Sequence, residues 1–194
     1  MSIRLSDKSC IFITDEFTTF ENNNVHIGVQ IQEEMRSNGV KSIPFFYEIN
    51  ISDISEINII GNHLENLSYI RKNFDSTVYI LLGSTQILKG LDPFQFESTL
   101  RRIILDLSHF GFDCYIAFPN NWDLHSDELK HRISKIRSIV SSLCEEAFER
   151  KFYITYMYDD NMEMVSNLHL IKKSIVSHFC KVNKIKLVQE SYNG

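Results

Sequence analysis

The sequence predicts an α/β protein: a mostly parallel sheet covered on both faces by helices, a three-layer α/β/α sandwich. Three observations carry this expectation. Five apolar runs of strand length alternate with five segments of helical period, as in successive strand–helix–strand units wound right-handedly. The run Thr77 to Leu82 (TVYILL) shows no polar alternation, as a strand buried on both faces requires. Seven glycines and three prolines in 194 residues are too few for an all-β fold built on many tight turns.

In chain order, Ser9 to Ile13 (SCIFI) reads as a short buried strand ending at the polar turn Thr14-Asp15-Glu16. Val25, Val29, Ile31 and Met35 begin a helix that Asn38-Gly39 closes, because a glycine past the last turn takes the left-handed conformation freely. Ser42 to Ile49 (SIPFFYEI) is the second strand, placed towards an edge by Pro44, which has no N–H for a ladder. Residues 62–74 form a helix through Leu64, Leu67 and Ile70. After the third strand at 77–82 comes Gly83-Ser84-Thr85-Gln86, then a helix striped by Phe96, Leu100, Ile103, Ile104 and Leu107 and closed by Gly111. Asp113 to Phe118 (DCYIAF) is the fourth strand, ending at Pro119. Residues 127–149 form the clearest helix, with apolar positions 129, 133, 136, 140, 143, 144 and 147. Phe152 to Met157 is the fifth strand, and a last helix runs from about Asn167 through Phe179 to a tail at Ile185 to Val188.

With no linker or repeat, residues 1–194 read as one domain. No apolar run approaches the roughly 18 residues of a membrane span, and the start MSIRLSDKSC lacks a signal-peptide core. The expectation is a soluble cytoplasmic protein. Cys10, Cys114, Cys144 and Cys180 lie far apart, with no C-x-x-C pair and no zinc-like spacing, so they read as buried thiols and no metal or cofactor is implied. The net charge of −5 is uneven: residues 1–100 carry 7 Lys+Arg against 13 Asp+Glu, whereas 101–194 carry 13 against 12. An anionic partner would meet the second half.

A parallel sheet binds ligands at the carboxyl ends of its strands, near the reversal of strand order. The turns that matter are therefore Thr14–Thr18, Asn50–Asp53, Gly83–Gln86, Pro119–Trp122 and Asp159–His169. They hold no G-x-G-x-x-G, no P-loop and no G-x-S-x-G elbow, so nucleotide-binding and α/β-hydrolase readings have no support. The adjacent pairs Asp15-Glu16 and Asp159-Asp160 diverge as side chains and read as solvated loop acids or as part of a cation site.

The arrangement IFITDEF, VYILLGSTQIL and SNLHLIKKSIVSHF resembles the SGNH (GDSL-type) hydrolase superfamily, from residue 9 to residue 181. The resemblance implies five parallel strands in the order 2-1-3-4-5 and a degenerate site. Where the family's first strand ends in Gly-Asp-Ser, this chain keeps Asp15 but has Glu16 at the nucleophile. Where the third strand ends in Gly-x-Asn-Asp, Gly83 stays and Thr85 replaces the oxyanion Asn. Where Asp-x-x-His precedes the last helix, His169 stays and Ser166 replaces the orienting acid. Asn50 to Asp53 offer no counterpart to the family's oxyanion Gly block. Acyl transfer on this scaffold needs an activated hydroxyl and donors aimed at the oxyanion. A carboxylate at position 16 puts like charge where that oxyanion forms, so the expectation is no catalysis.

An SGNH-like domain without its catalytic set also resembles the Oskar-type domains of germ plasm, which are developmental proteins that bind messenger RNA through a basic surface. That resemblance implies single-stranded RNA as partner. The candidate cations are Arg101 and Arg102 on one helix, Lys130, Arg132, Lys135 and Arg137 on the next, and Lys172 and Lys173 on the last helix, across the sheet. Two alternatives stand beside it. One is a protein-interaction module anchored by aromatics such as Phe94 or Trp122; the other is an esterase with Thr14 or Thr18 as nucleophile beside His169.

Overall fold

The computed structural model describes residues 8–15, 27–49, 59–83, 90, 92–116, 127–149 and 164–185. Four strands, β1 (Lys8–Asp15), β2 (Ile43–Ile49), β3 (Asp75–Leu81) and β4 (Asp113–Ile116), form one parallel sheet in the order β2-β1-β3-β4. Among the described residues, five helices accompany them: α1 (Ile27–Ser37), α2 (Ile59–Asn73), α3 (Pro93–His109), α4 (Asp127–Glu149) and α5 (Met164–Val182). The expected five-strand order 2-1-3-4-5 is thus met by four strands in the order 2-1-3-4, and the fifth expected strand, 152–157, lies outside the described residues. Among the described residues β2 pairs with β1 alone, so Pro44 sits in an edge strand there.

Successive strand residues point to opposite faces, which builds two cores from one sheet. Ile11, Ile13, Val78, Ile80, Cys114 and Ile116 face α2, α3 and α4. Cys10, Phe12, Tyr79, Leu81 and Tyr115 face α1 and α5, which pack side by side. On this second face the register aligns Phe46, Phe12, Tyr79 and Tyr115 in a row across all four strands. Their ring centroids are 5.8, 5.9 and 5.9 Å apart, so each aromatic packs on the next. The helices present matching stripes: Ile27, Ile31 and Met35 from α1, and Ile175, Val176, Phe179 and Cys180 from α5.

Several boundaries differ from expectation for a common reason. β1 continues through Thr14 to Asp15, and β3 begins at Asp75, because backbone pairing does not require apolar side chains. The polar residues at the lower end satisfy one another: Ser9 and Ser76 hydroxyls meet at 2.6 Å in the interior, and Lys8 pairs with Asp75. β4 is described from Asp113 to Ile116, and the rest of the expected strand, 117–118, lies outside the described residues. α2 begins at Ile59 instead of 62, and α5 at Met164 instead of about 167. Among the described residues, no helix is long and apolar enough to cross a membrane.

Candidate functional site

Strand order fixes where the site can be. From β1 the chain passes to α1 on one face of the sheet, and from β3 it passes to α3 on the other. The carboxyl ends of β1 and β3, which are neighbours, therefore send their chains to opposite faces, and such a divergence is where an open parallel sheet takes its ligand. Thr14 pairs in register with Leu81, which puts Asp15 level with Leu82. Beyond Leu82, Gly83 has φ +120, a conformation that a side chain disfavours, so the glycine common to this chain and the SGNH pattern makes the turn out of β3. Thr14 is fully buried within β1, which removes it from solvent as an attacking group.

His169 lies in the second turn of α5, and its height follows from two contacts further along that helix. His178 Nδ1 meets Tyr79 Oη at 3.0 Å, and Asn183 Nδ2 donates to Thr77 Oγ1 at 3.4 Å, so α5 runs antiparallel to β3. From His178 back to His169 is about 13.5 Å of helix at about 1.5 Å per residue. The same height is about four residues of strand at about 3.3 Å each, which from Tyr79 reaches Gly83. Asp15, Gly83 and the turn bearing His169 thus come to the same end of the molecule. Ser166, in the first turn of α5, is at this end also. Glu16 and Thr85 lie outside the described residues, as do Thr18, Trp122 and the turns 50–53, 119–122 and 159–163.

The candidate RNA-binding cations divide between two faces. α3 and α4 are adjacent, as their basic residues require, and Lys172 and Lys173 stand on α5 across the sheet. Most of the α3 and α4 cations have carboxylates beside them. Arg101 bridges Glu97, at 3.0 Å, and Glu146 of α4; this ion triad holds its guanidinium even more firmly charged and ties the two helices together. Arg102 stands 3.9 Å from Asp106, Lys130 3.1 Å from Asp127, and Arg132 pairs with Glu128. Lys135 and Lys173 are exposed, while Arg137 and Lys172 are partly buried. Arg132 is also packed against Gly90 in the connection from β3 to α3.

One titratable group escaped the sequence reading. His178 is half-buried against Tyr79 and Tyr115, its ring centroid 4.1 Å from that of Tyr115. Burial, and then the nearby Lys181 charge, lower its pKa. Its position three residues after Ile175, on the border of the buried stripe of α5, was the available signal. Cys10, Cys114 and Cys180 are buried free thiols and Cys144 is half-buried, pushed up to about 11 mainly by burial. Burial also raises the other three, which keeps them protonated and unreactive. Among the described residues, no three His, Cys, Asp or Glu side chains converge as metal ligands.

No protein-family model matches the chain, and no curated protein is similar to it. Solved structures are similar over most of its length. TesA superposes with a TM-score of 0.58 at 13% identity, covering 90% of this chain and 99% of TesA. AlinE4, an SGNH-hydrolase family esterase, gives 0.53 at 10%, covering 91% and 96%. A GDSL-like lipase from Bacteroides thetaiotaomicron VPI-5482 gives 0.55 at 11%, covering 90% and 89%. The chain therefore has an SGNH hydrolase-like α/β fold.

Proposed function

We propose that this chain is a non-hydrolytic SGNH-like domain of the Oskar type, a cytoplasmic protein that binds single-stranded RNA, messenger RNA included, instead of cleaving esters. The observation that carries the proposal is the sequence Thr14-Asp15-Glu16 at and after the carboxyl end of the central β1, where the strand order reverses. A carboxylate at the nucleophile position supplies no activated hydroxyl, and its charge opposes a developing oxyanion. Thr85 at the oxyanion position removes a side-chain amide donor, and removing one such donor costs roughly 100- to 1,000-fold in rate. Ser166 leaves His169 without an acid to orient it.

The RNA half rests on cations set on rigid, adjacent helices, α3 and α4. Arg101, Arg102, Lys130 and Arg132 already have carboxylate partners, so each phosphate contact displaces an internal one. Affinity is then on the order of micromolar or weaker, and steeply salt-dependent. The test is fluorescence anisotropy of a labelled single-stranded RNA titrated with the protein at several salt concentrations. Three or four phosphate contacts give a slope between about −2 and −3 in log affinity against log salt, at about −0.7 per contact. Lys130→Glu with Lys135→Glu flattens that slope, whereas Lys172→Glu with Lys173→Glu tests the opposite face. Retention unaffected by both pairs, or absent from the start, contradicts RNA binding. A protein-interaction role is then favoured by Phe94, which is 76% exposed at the start of α3.

A further inference from the structure

Helices α1, α3 and α5 close with one hydrogen-bond pattern. In α1, Val40 N donates to Met35 O at 2.9 Å and Gly39 N to Arg36 O at 2.9 Å. In α3, Phe112 N donates to Leu107 O at 3.2 Å and Gly111 N to Ser108 O at 2.9 Å. In α5, Ile185 N donates to Cys180 O at 2.8 Å and Lys184 N to Lys181 O at 3.2 Å. The pattern needs a left-handed residue just past the helix, and glycine is the usual one. Gly39 and Gly111 fill that place with φ +72 each, whereas α5 uses Lys184 at φ +56. Among the described residues, Lys184 is the one non-glycine residue with positive φ. A Cβ is strained there, so lysine costs stability that glycine would keep. The helix dipole does not call for it: Lys181 already stands in the last turn of α5, as Arg36 does in the glycine-ended α1. A strained residue where a relaxed one would serve points to a role for its side chain.

That side chain extends a row. Lys173, Ser177 and Lys181 are exposed at successive turns of α5, and exposed Lys184 follows just past its end. Residues 164–189 contain five lysines and no Asp or Glu, in a chain of net charge −5. Unlike Arg101, Arg102, Lys130 and Arg132, the three exposed lysines of this row stand in no ion pair; nor do Glu33 and Glu34 of the neighbouring α1. We infer that the outer side of α5, from Lys173 to Lys184, binds the phosphate backbone of single-stranded RNA, and that Lys184 keeps its strained conformation for this contact. The partner rests on the RNA reading above; the surface is a further one, across the sheet from α3 and α4. A phosphate here displaces no internal carboxylate, so each contact gains its counterion release in full.

Lys184→Gly separates strain from binding. The full chain is titrated into a labelled oligouridylate at several salt concentrations, and its stability is followed by urea denaturation. Lys184→Gly is expected to raise the urea midpoint and yet to weaken binding about fourfold at about 0.15 M salt, flattening the salt slope by about 0.7, the share of one phosphate contact. Lys173→Gln with Lys181→Gln, at unstrained positions, is expected to flatten the slope by about 1.4 with the midpoint nearly unchanged. Wild-type binding by Lys184→Gly, or by the double variant, overturns the inference and leaves RNA binding elsewhere on the protein standing. A midpoint that does not rise in Lys184→Gly overturns the role of strain. A wild type that takes phosphatidylserine vesicles but no oligouridylate, or neither, fails the RNA reading and this surface with it.

Discussion

Thr99 buries its hydroxyl in α3, 2% exposed, and among the described residues Thr99 Oγ1 has no hydrogen-bond partner. An unsatisfied buried hydroxyl is a net cost to the fold. Thr99→Val keeps the shape and removes that group, so it is expected to stabilise the protein by about 1 kcal/mol. A urea midpoint that falls instead would contradict this. His178 acts through pH. Its folded-state pKa is depressed, first by burial and then by Lys181, so the unfolded chain takes up the proton at a higher pH than the folded one. The stability that neutral His178 contributes is complete above its unfolded value of about 6.5 and is lost as pH falls through the lower folded value. Thermal unfolding at pH 7.5 and pH 5 should show a larger drop for the wild type than for His178→Gln. Equal drops would remove His178 from the account.

At the scale of elements, β1, β3 and β4 were legible because a strand buried on both faces has to be apolar almost throughout, and so was the edge placement of β2 from Pro44. Their ends were not, since Thr14, Asp75 and Ser76 continue the ladder with polar side chains. The stripe of α5 was legible as far as Phe179, and it yields a quantitative expectation. Phe179 is fully buried between α1 and the sheet, so Phe179→Ala should cost about 3–5 kcal/mol by urea denaturation. Lys173→Ala, on the exposed side of the same helix, should stay within about 0.5 kcal/mol. Comparable losses would mean that α5 does not pack as described. The helix cations show what was missed at this scale. Glu97 with Arg101 and Glu128 with Arg132 are spaced i to i+4, the geometry of helix-surface ion pairs, so their pairing was readable beside the basic residues themselves. Contacts such as Arg132 on Gly90 join residues distant in sequence and carry no periodic signature.

For the whole molecule, the topology decides more than composition does. The order β2-β1-β3-β4 brings Asp15, Gly83 and the His169 turn of α5 to one end, although they are spread over most of the chain. Short motifs at the ends of apolar runs marked those positions in the sequence, because the carboxyl ends of parallel strands are where such a fold binds. The central claim of the proposal concerns this end: that Glu16 takes the position of the family's nucleophile and Ser166 the position of its orienting acid. On that proposal, Glu16→Ser alone should leave the protein inactive, because Ser166 would still stand at the position of the orienting acid. The most direct measurement is hydrolysis of a chromogenic short-chain ester by the wild type and by His169→Ala. The account predicts the uncatalysed background rate for both; turnover by the wild type that disappears in His169→Ala would contradict it.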